Sequence, residues 1–305
     1  MKFIPFIKYS KIWLFISLAI AVASIAVIGM WGLKSGIDFT GGSLMELDFA
    51  NNRPDNTAIT AVLDKAEIKN VVLQKTGDKG LLVRTAVMNE ETHQKALSAV
   101  KDEFGKDGNT IVESRFEMIG PSVSQQLRQR SLWAVILVCL GILAYVAYAF
   151  RGVSRPIASW KYGALCIVAL AHDVLLVVGV FAVLGHYYGT EIDIAFIVAA
   201  LTILGYSVND TIVVYDRIRE KLLRRGNTET FEDLVNAGLN QSMMRSINTT
   251  LTTLLPLIAL YFFGGPTIHT FTLALLIGIT SGAYSSIFIA APLLVYVERW
   301  QRKTV

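Results

Sequence analysis

Charge is scarce in this chain. Only 17% of its 305 residues are charged, against 53% hydrophobic and a mean hydropathy of +0.50, which excludes an ordinary soluble protein of this length and makes the membrane the first hypothesis. Cysteine is scarcer still. Cys139 and Cys166, the only two, fall inside apolar runs, so the polar part has no disulfide framework and the redox compartment stays open. Both read as inert packing residues. The polar segment holds one histidine, His93, and no metal-ligand cluster. No Gly-Lys-Ser/Thr follows the glycines of "GIDFTGG", so that stretch is a poor phosphate cradle; its glycines shape a tight exit from the membrane. No A-x-A site follows the first apolar run, which reads as an uncleaved span.

What is present in abundance is apolar length. Five runs reach the roughly 20 residues needed to cross a hydrocarbon core: Ile12–Gly32, Leu132–Phe150, Tyr162–Leu184, Ile192–Tyr215 and Ile268–Val297. A sixth, Thr250–Phe263, spans only if the polar residues before it, Arg245, Asn248 and Thr249, also lie in the membrane. Charge placement sets the orientation. Residues 33–130 carry thirteen Lys/Arg against fourteen Asp/Glu, and the rest of the chain fifteen against ten. The surplus sits at both ends and in the loops after spans two and four, while "GHYYGTE" and "GGPT" hold no Lys or Arg. The positive-inside rule then gives six spans, cytoplasmic N- and C-termini and an extracytoplasmic segment 33–130. The basic surplus reports topology and not a nucleic-acid partner.

Three parts follow: residues 1–32 as the cytoplasmic N-terminus and first helix, 33–130 as an α+β domain, and 131–305 as helices two to six. The segment 33–130 alternates signals in the order β-α-β-β-α-β, the ferredoxin-like split βαβ pattern, with no catalytic constellation; it reads as a docking or moving part. Near 228–243, Phe231, Leu234, Val235, Gly238 and Leu239 recur at helical spacing behind a capping box of Thr230 and Asp233. This predicts a short amphipathic helix on the cytoplasmic face, a connector lying against the bundle.

The chemistry concentrates in "GYSVNDTIVVYD". Asp210 lies about 10 Å inward from Arg217 along a helix, where a charge costs at least about 2.5–3.5 kcal/mol. Thr202, Tyr206 and Asp210 follow one another at i, i+4, i+8, with Ser207 and Asn209 beside them. Arg245, Asn248, Thr249, Thr252 and Thr253 share one face of the next span. A nearby arginine or a water-filled cavity would compensate Asp210; a static ion pair is the plainer alternative. His172 and Asp173 sit mid-span, about 100° apart on a helix, so they are expected to serve different neighbours, as packing contacts or as a proton relay. Gly278, Gly282 and Ser286 form a small-xxx-small face for close helix approach.

Together, "GIDFTGG" after span one, "HDV" in span three, "GYSVNDTIVVYDRIRE" in span four, "RSINTTLTTLL" opening span five and "LALLIGITSGAYSSIFIAAPLL" in span six resemble the SecF branch of the SecD/SecF family. That family serves the bacterial Sec protein-export machinery and lies within the resistance–nodulation–division (RND) superfamily. The resemblance implies one six-helix half of an RND-type bundle in the bacterial inner membrane. It makes Asp210 the proton-coupling carboxylate and Arg245 its arginine, with Asp38, Gly41 and Gly42 as the family motif beyond span one. It also implies SecD, the SecYEG channel, a translocating preprotein and a YidC-type insertase as partners, besides the lipid bilayer. The expected protein is no enzyme and needs no cofactor, since the transmembrane proton gradient drives it. A carboxylate beside Asn and Thr oxygens suits Na⁺ as well as H⁺. The rival reading is half of a proton-driven RND exporter of a small lipophilic molecule. An intramembrane aspartyl protease needs two facing carboxylates, and Asp216 has no G-x-G-D companion.

Overall fold

A computed structural model describes residues 4–77, 79–106, 108–151, 157–224 and 229–304. After a 3₁₀ turn at Ile7–Tyr9 come α1 (Ser10–Trp31), a single turn α2 (Ile37–Thr40), β1 (Gly42–Phe49), α3 (Asn56–Lys65), β2 (Val72–Thr76), β3 (Gly80–Thr85), α4 (Glu90–Phe104) and β4 (Ile111–Ile119). The helices α5 (Pro121–Ala149), α6 (Ser159–Tyr188), α7 (Ile194–Leu223), α8 (Phe231–Phe263), α9 (Pro266–Ser285) and α10 (Ala291–Thr304) follow, with a π-helical stretch Ser286–Ala290 joining the last two. Among the described residues six helical segments are long and apolar enough to cross a membrane. The protein is an α-helical polytopic membrane protein carrying a small α+β unit.

That unit comprises Ser35–Leu132. Its sheet is antiparallel throughout in the order β2-β3-β1-β4, the arrangement the β-α-β-β-α-β order predicts. Strand β1 is central and alternates: Met45, Leu47 and Phe49 point into the core, where Ile59 and Leu63 of α3, Leu81 and Val83 of β3, and Ala96, Leu97 and Val100 of α4 meet them. A register shift against β4 falls between Glu46 and Leu47. Helix α4 starts where Asn89 accepts the Thr92 N–H, with Glu90 and Glu91 in the first turn favouring the positive end of the helix dipole.

The "GIDFTGG" stretch is more ordered than a plain exit turn. Ile37–Thr40 makes one helical turn, Asp38 is half-buried in it, and Gly41 and Gly42 follow at φ +73° and +131°. A Cβ on Gly42 would lie 2.6 Å from the Thr85 carbonyl oxygen. Glycine is needed here both for backbone conformation and for the close approach of β3.

In the helical unit α6, α7 and the α9 stretch are the most buried, and α1, α5 and α8 are peripheral. The exposed faces of α1 and α5, with Phe15, Leu18, Val22, Leu132, Leu137 and Leu140, suit lipid. The segment near 228–243 departs from expectation. It is not a separate amphipathic helix but the first part of one 33-residue helix, α8, which begins at the Thr230–Asp233 capping box and runs through Arg245 and Asn248 to Phe263. Residue 228 lies outside the described residues. Within it Ser242, Thr249, Thr252 and Thr253 each donate to the carbonyl four residues back, so their hydroxyls need no partner outside the helix.

The α+β core predicts a specific loss. In the unit Ser35–Leu132 expressed alone, chemical unfolding should be a single cooperative transition, and Leu47→Ala should lower its stability by about 2–5 kcal/mol. A Leu47→Ala variant as stable as the parent would contradict a core centred on β1.

Candidate functional site

Helices α7 and α9 run parallel and very close. Cβ atoms on Gly278 and Gly282 would fall 2.2 Å from Ile203 Cδ1 and 2.8 Å from Ser207 Cβ, and one turn later the Ser286 and Thr211 hydroxyls meet at 2.9 Å. The small face of α9 thus matches α7 position by position: 278 with 203, 282 with 207, 286 with 211. Two carboxylates lie in the layer this contact creates, and they are treated differently.

Asp173 of α6 is fully buried. Ser207 Oγ of α7 and Ser285 Oγ of α9 donate to its Oδ2 at 2.7 and 2.6 Å, and Ser281 Oγ of α9 donates to Oδ1 at 2.7 Å. His172 Nδ1 stands 3.3 Å from the same Oδ1. Asp173 thus serves the three serines while His172 stands beside the Tyr284 ring, so the two neighbours face separate partners and also touch each other. Hydrogen bonds to a charged group are worth about 1.5–3 kcal/mol each, so three hydroxyls offset the cost of an intramembrane carboxylate.

Asp210 of α7, also buried, has one such bond, from Ser246 Oγ of α8 to Oδ1. Its Oδ2 is buried with no hydrogen-bond partner among the described residues. Arg245 does not close this gap. It is exposed, and no ion pair within 4 Å joins it to Asp210 among the described residues; the static pair is absent. The reason is angular: Ser246 occupies the inward face of α8, and its neighbour Arg245 points about 100° away.

The two polar stripes are likewise only partly assembled. Along α7 the step of four residues advances the direction by about 40°, so Thr202 is exposed and back-bonded to the Val198 carbonyl, Tyr206 is half-buried, and Asp210 reaches the interior. Tyr206 Oη donates to the Thr249 carbonyl at 2.9 Å and lies 3.1 Å from Thr253 Oγ1, fastening α7 to α8. Ser207 turns to Asp173 and away from Asp210. Asn209 is exposed on α7, as are Arg245, Asn248 and Thr249 on α8. Asp216 is exposed and 3.8 Å from Arg219, so it does not face Asp210 as a protease dyad requires. Sequence reasoning missed Ser246, Ser281, Ser285 and the π-helical turn, whose Ala290 carbonyl accepts from Tyr215 Oη.

A family model described as protein export membrane protein SecD/SecF, C-terminal, matches residues 99–300. The chain belongs to the SecD/SecF family. Protein translocase subunit SecF of Thermobaculum terrenum is 41% identical over 313 residues, covering 98% of this chain and 95% of that protein. The corresponding subunit of Anaerolinea thermophila is 37% identical and covers 93% and 90%. The crystal structure of SecDF, a translocon-associated membrane protein from Thermus thermophilus, overlays with a TM-score of 0.83 at 32% identity over 96% of this chain. A SecDF structure in a super-membrane-facing form gives 0.68 at the same identity. The chain spans 38% and 39% of those SecDF chains, whereas it matches the SecF proteins nearly end to end.

The α7–α9 contact yields a paired test within this SecD/SecF family member. Gly282→Ala should lower the melting temperature of the purified chain by several degrees, because the added methyl meets the Ser207 side chain and backbone. Gly205→Ala, on the open side of α7 with nothing within 4 Å, should leave it unchanged. Equal melting of both variants would argue against the close approach.

Proposed function

We propose that the protein is an accessory subunit of Sec-dependent protein translocation, coupled to the proton-motive force, with both termini in the cytoplasm of a bacterial inner-membrane protein. Asp210 takes and releases the proton. The observation that carries this reading is the buried Asp210 Oδ2, which has no hydrogen-bond partner among the described residues, while Asp173 in the same bundle accepts three hydroxyl donors. Arg245, exposed on the neighbouring helix, stabilises the ionised form when the bundle rearranges. One proton crossing 100 mV releases about 2.3 kcal/mol, enough to bias a two-state equilibrium well over tenfold.

The exposed polar seam of Asn209, Arg245, Asn248, Thr249 and Thr252 is unsuited to lipid and supports a second six-helix half, of SecD type, as its cover. In this reading the α+β unit lies outside and engages the emerging preprotein with its SecD counterpart, next to the SecYEG channel and a YidC-type insertase. The protein carries out no catalytic turnover and uses no cofactor. Co-purification with a SecD-type chain and the channel supports export; a self-sufficient homo-oligomer supports small-molecule efflux.

Asp210→Asn should leave folding and partner binding intact and abolish the part of preprotein export that an imposed proton gradient drives in reconstituted vesicles. Replacing Asp210 by Asn and Arg245 by Gln together should not restore it, and Asp210→Glu should retain partial activity with a shifted pH dependence. Full gradient-driven export by Asp210→Asn would end the assignment. Repeating the assay with a proton gradient and no Na⁺ identifies the ion.

Topology has its own check. In a chain carrying Cys139→Ala and Cys166→Ala, Thr190→Cys and Thr267→Cys should react with an impermeant thiol reagent added to intact cells, and Glu229→Cys should not. Labelling at position 229 would reverse the orientation.

A further inference from the structure

A cavity of about 480 Å³ opens at the end of the helical unit where α1 and α8 begin. Lys8 of the 3₁₀ turn, Ser10 and Lys11 of α1, Asn236 of α8, and Tyr296 and Arg299 of α10 line it. Its wall is fixed. Asn236 Oδ1 accepts the Ile7 N–H at 3.3 Å, while the Asn236 and Asn240 side-chain amides donate to the Ile4 carbonyl at 3.1 and 2.9 Å. Phe6 is buried edge-on against Phe288, so the segment that presents Lys8 is strapped across α8. The charges of the lining are engaged unevenly. Of its two carboxylates, Glu232 is held by Arg299 at 2.7 Å and Asp233 accepts the Thr230 hydroxyl at 2.6 Å in the α8 cap. Lys8 and Lys11 are exposed and have no acidic partner within 4 Å among the described residues; Lys8 Nζ lies 5.9 Å from the Tyr9 ring. Tyr296 Oη is 3.4 Å from a Ser10 hydroxyl that already donates to the Ile7 carbonyl, so its own hydrogen is available to a further acceptor.

What lies along the helix below the lysines is a second, independent observation. The 3₁₀ turn runs straight into α1, and steps of three and four residues lead from Lys8 and Lys11 to Ile12, Phe15, Leu18 and Val22, one face of a helix. These four are 55%, 72%, 62% and 57% exposed. One face of the span thus passes from two free cations into an apolar, lipid-facing stripe, the order in which a phospholipid presents its phosphate and its chains. We infer that the cavity binds the phosphodiester of an anionic phospholipid, with Lys8, Lys11 and the Tyr296 hydroxyl on the phosphate and the acyl chains along Ile12, Phe15, Leu18 and Val22. The headgroup beyond the phosphate is an uncharged alcohol: the three cations of the lining outnumber its two carboxylates, and both carboxylates are already engaged, which leaves no free acid for a headgroup ammonium. The inference rests on the membrane location of the helical unit and is independent of proton coupling.

The test uses the purified full chain in detergent and counts retained lipid by native mass spectrometry as phosphatidylglycerol is added. One molecule is expected to bind in preference to phosphatidylcholine. Replacing Lys8 and Lys11 together by Gln should weaken that binding about thirtyfold, since a lysine facing anionic lipid is worth about 1 kcal/mol. Replacing Lys161 and Lys221 by Gln removes the same charge elsewhere on the helical unit and should leave binding unchanged. The soluble headgroup glycerophosphoglycerol, which has the phosphodiester without the chains, should bind far more weakly than the lipid. The inference is overturned if the Lys8 and Lys11 replacements retain the lipid as the parent does, or if both double variants lose it equally. It is also overturned if the chain-free headgroup binds as tightly as the lipid, which would make this a site for a soluble phosphate, or if phosphatidylethanolamine displaces phosphatidylglycerol.

Discussion

The close parallel approach of α7 and α9 is the constraint on which the rest of the bundle depends. Only because Gly278 and Gly282 carry no side chain can Ile203 and Ser207 lie against the α9 backbone. That proximity brings Ser207 of one helix and Ser281 and Ser285 of the other onto one carboxylate of a third, Asp173. Inside lipid no water competes for these groups, and helix association there relies on packing and on such interhelical hydrogen bonds. Adding one methyl at Gly282 therefore acts on the contact and on the polar layer together. The same approach ends in the Thr211–Ser286 contact, from which the π-helical turn begins and below which Tyr215, Tyr162 and Phe150 fill the interior with stacked and edge-on rings.

The bundle distributes hydrogen-bond donors unequally between Asp173 and Asp210. Asp173 receives three hydroxyls and Asp210 one. A uniformly compensated pair would be rigid, and a uniformly bare pair would not survive burial at several kcal/mol per charge. The unequal allotment ties α6, α7 and α9 through one carboxylate, whereas Asp210 joins α7 to α8 through the Ser246 bond alone, beside the Tyr206 contacts that fasten the same two helices.

Much of this was legible in the sequence. The order of strands and helices in 33–130 gave the sheet, since each element announces its period and the turns between them are short. The Thr230–Asp233 box marked the start of α8, and the spacing of Gly278, Gly282 and Ser286 marked the tight face of α9. The Asp173 cage was not legible, because its donors lie 34, 108 and 112 residues away and a lone serine in an apolar helix carries no periodic signal. Nor was the pairing of Asp210. Its i+4 spacing from Tyr206 suggested one shared face, and the 40° drift per step together with the 100° between Arg245 and Ser246 decided otherwise. The continuity of α8 was hidden for a related reason: polar residues mid-helix look like a boundary until their hydroxyls are seen bonding back along the same helix.

That back-bonding bears on what covers the exposed seam. Thr249, Thr252 and Thr253 satisfy their hydroxyls on the carbonyls of Arg245, Asn248 and Thr249, so a partner meeting this face need not supply a fixed acceptor for each. An interface whose threonines are already satisfied can slide without leaving buried donors unpaired, the step that otherwise makes moving a polar contact in lipid cost several kcal/mol. In the proposed reading, with a SecD-type half over this face, Arg245 and the amides of Asn209 and Asn248 are the groups that call for complementary partners across the seam. A few such anchors on an otherwise self-satisfied polar face would give a contact specific in register yet inexpensive to shift, and Asp210 lies directly behind them, one residue from Asn209 and bonded to the residue after Arg245.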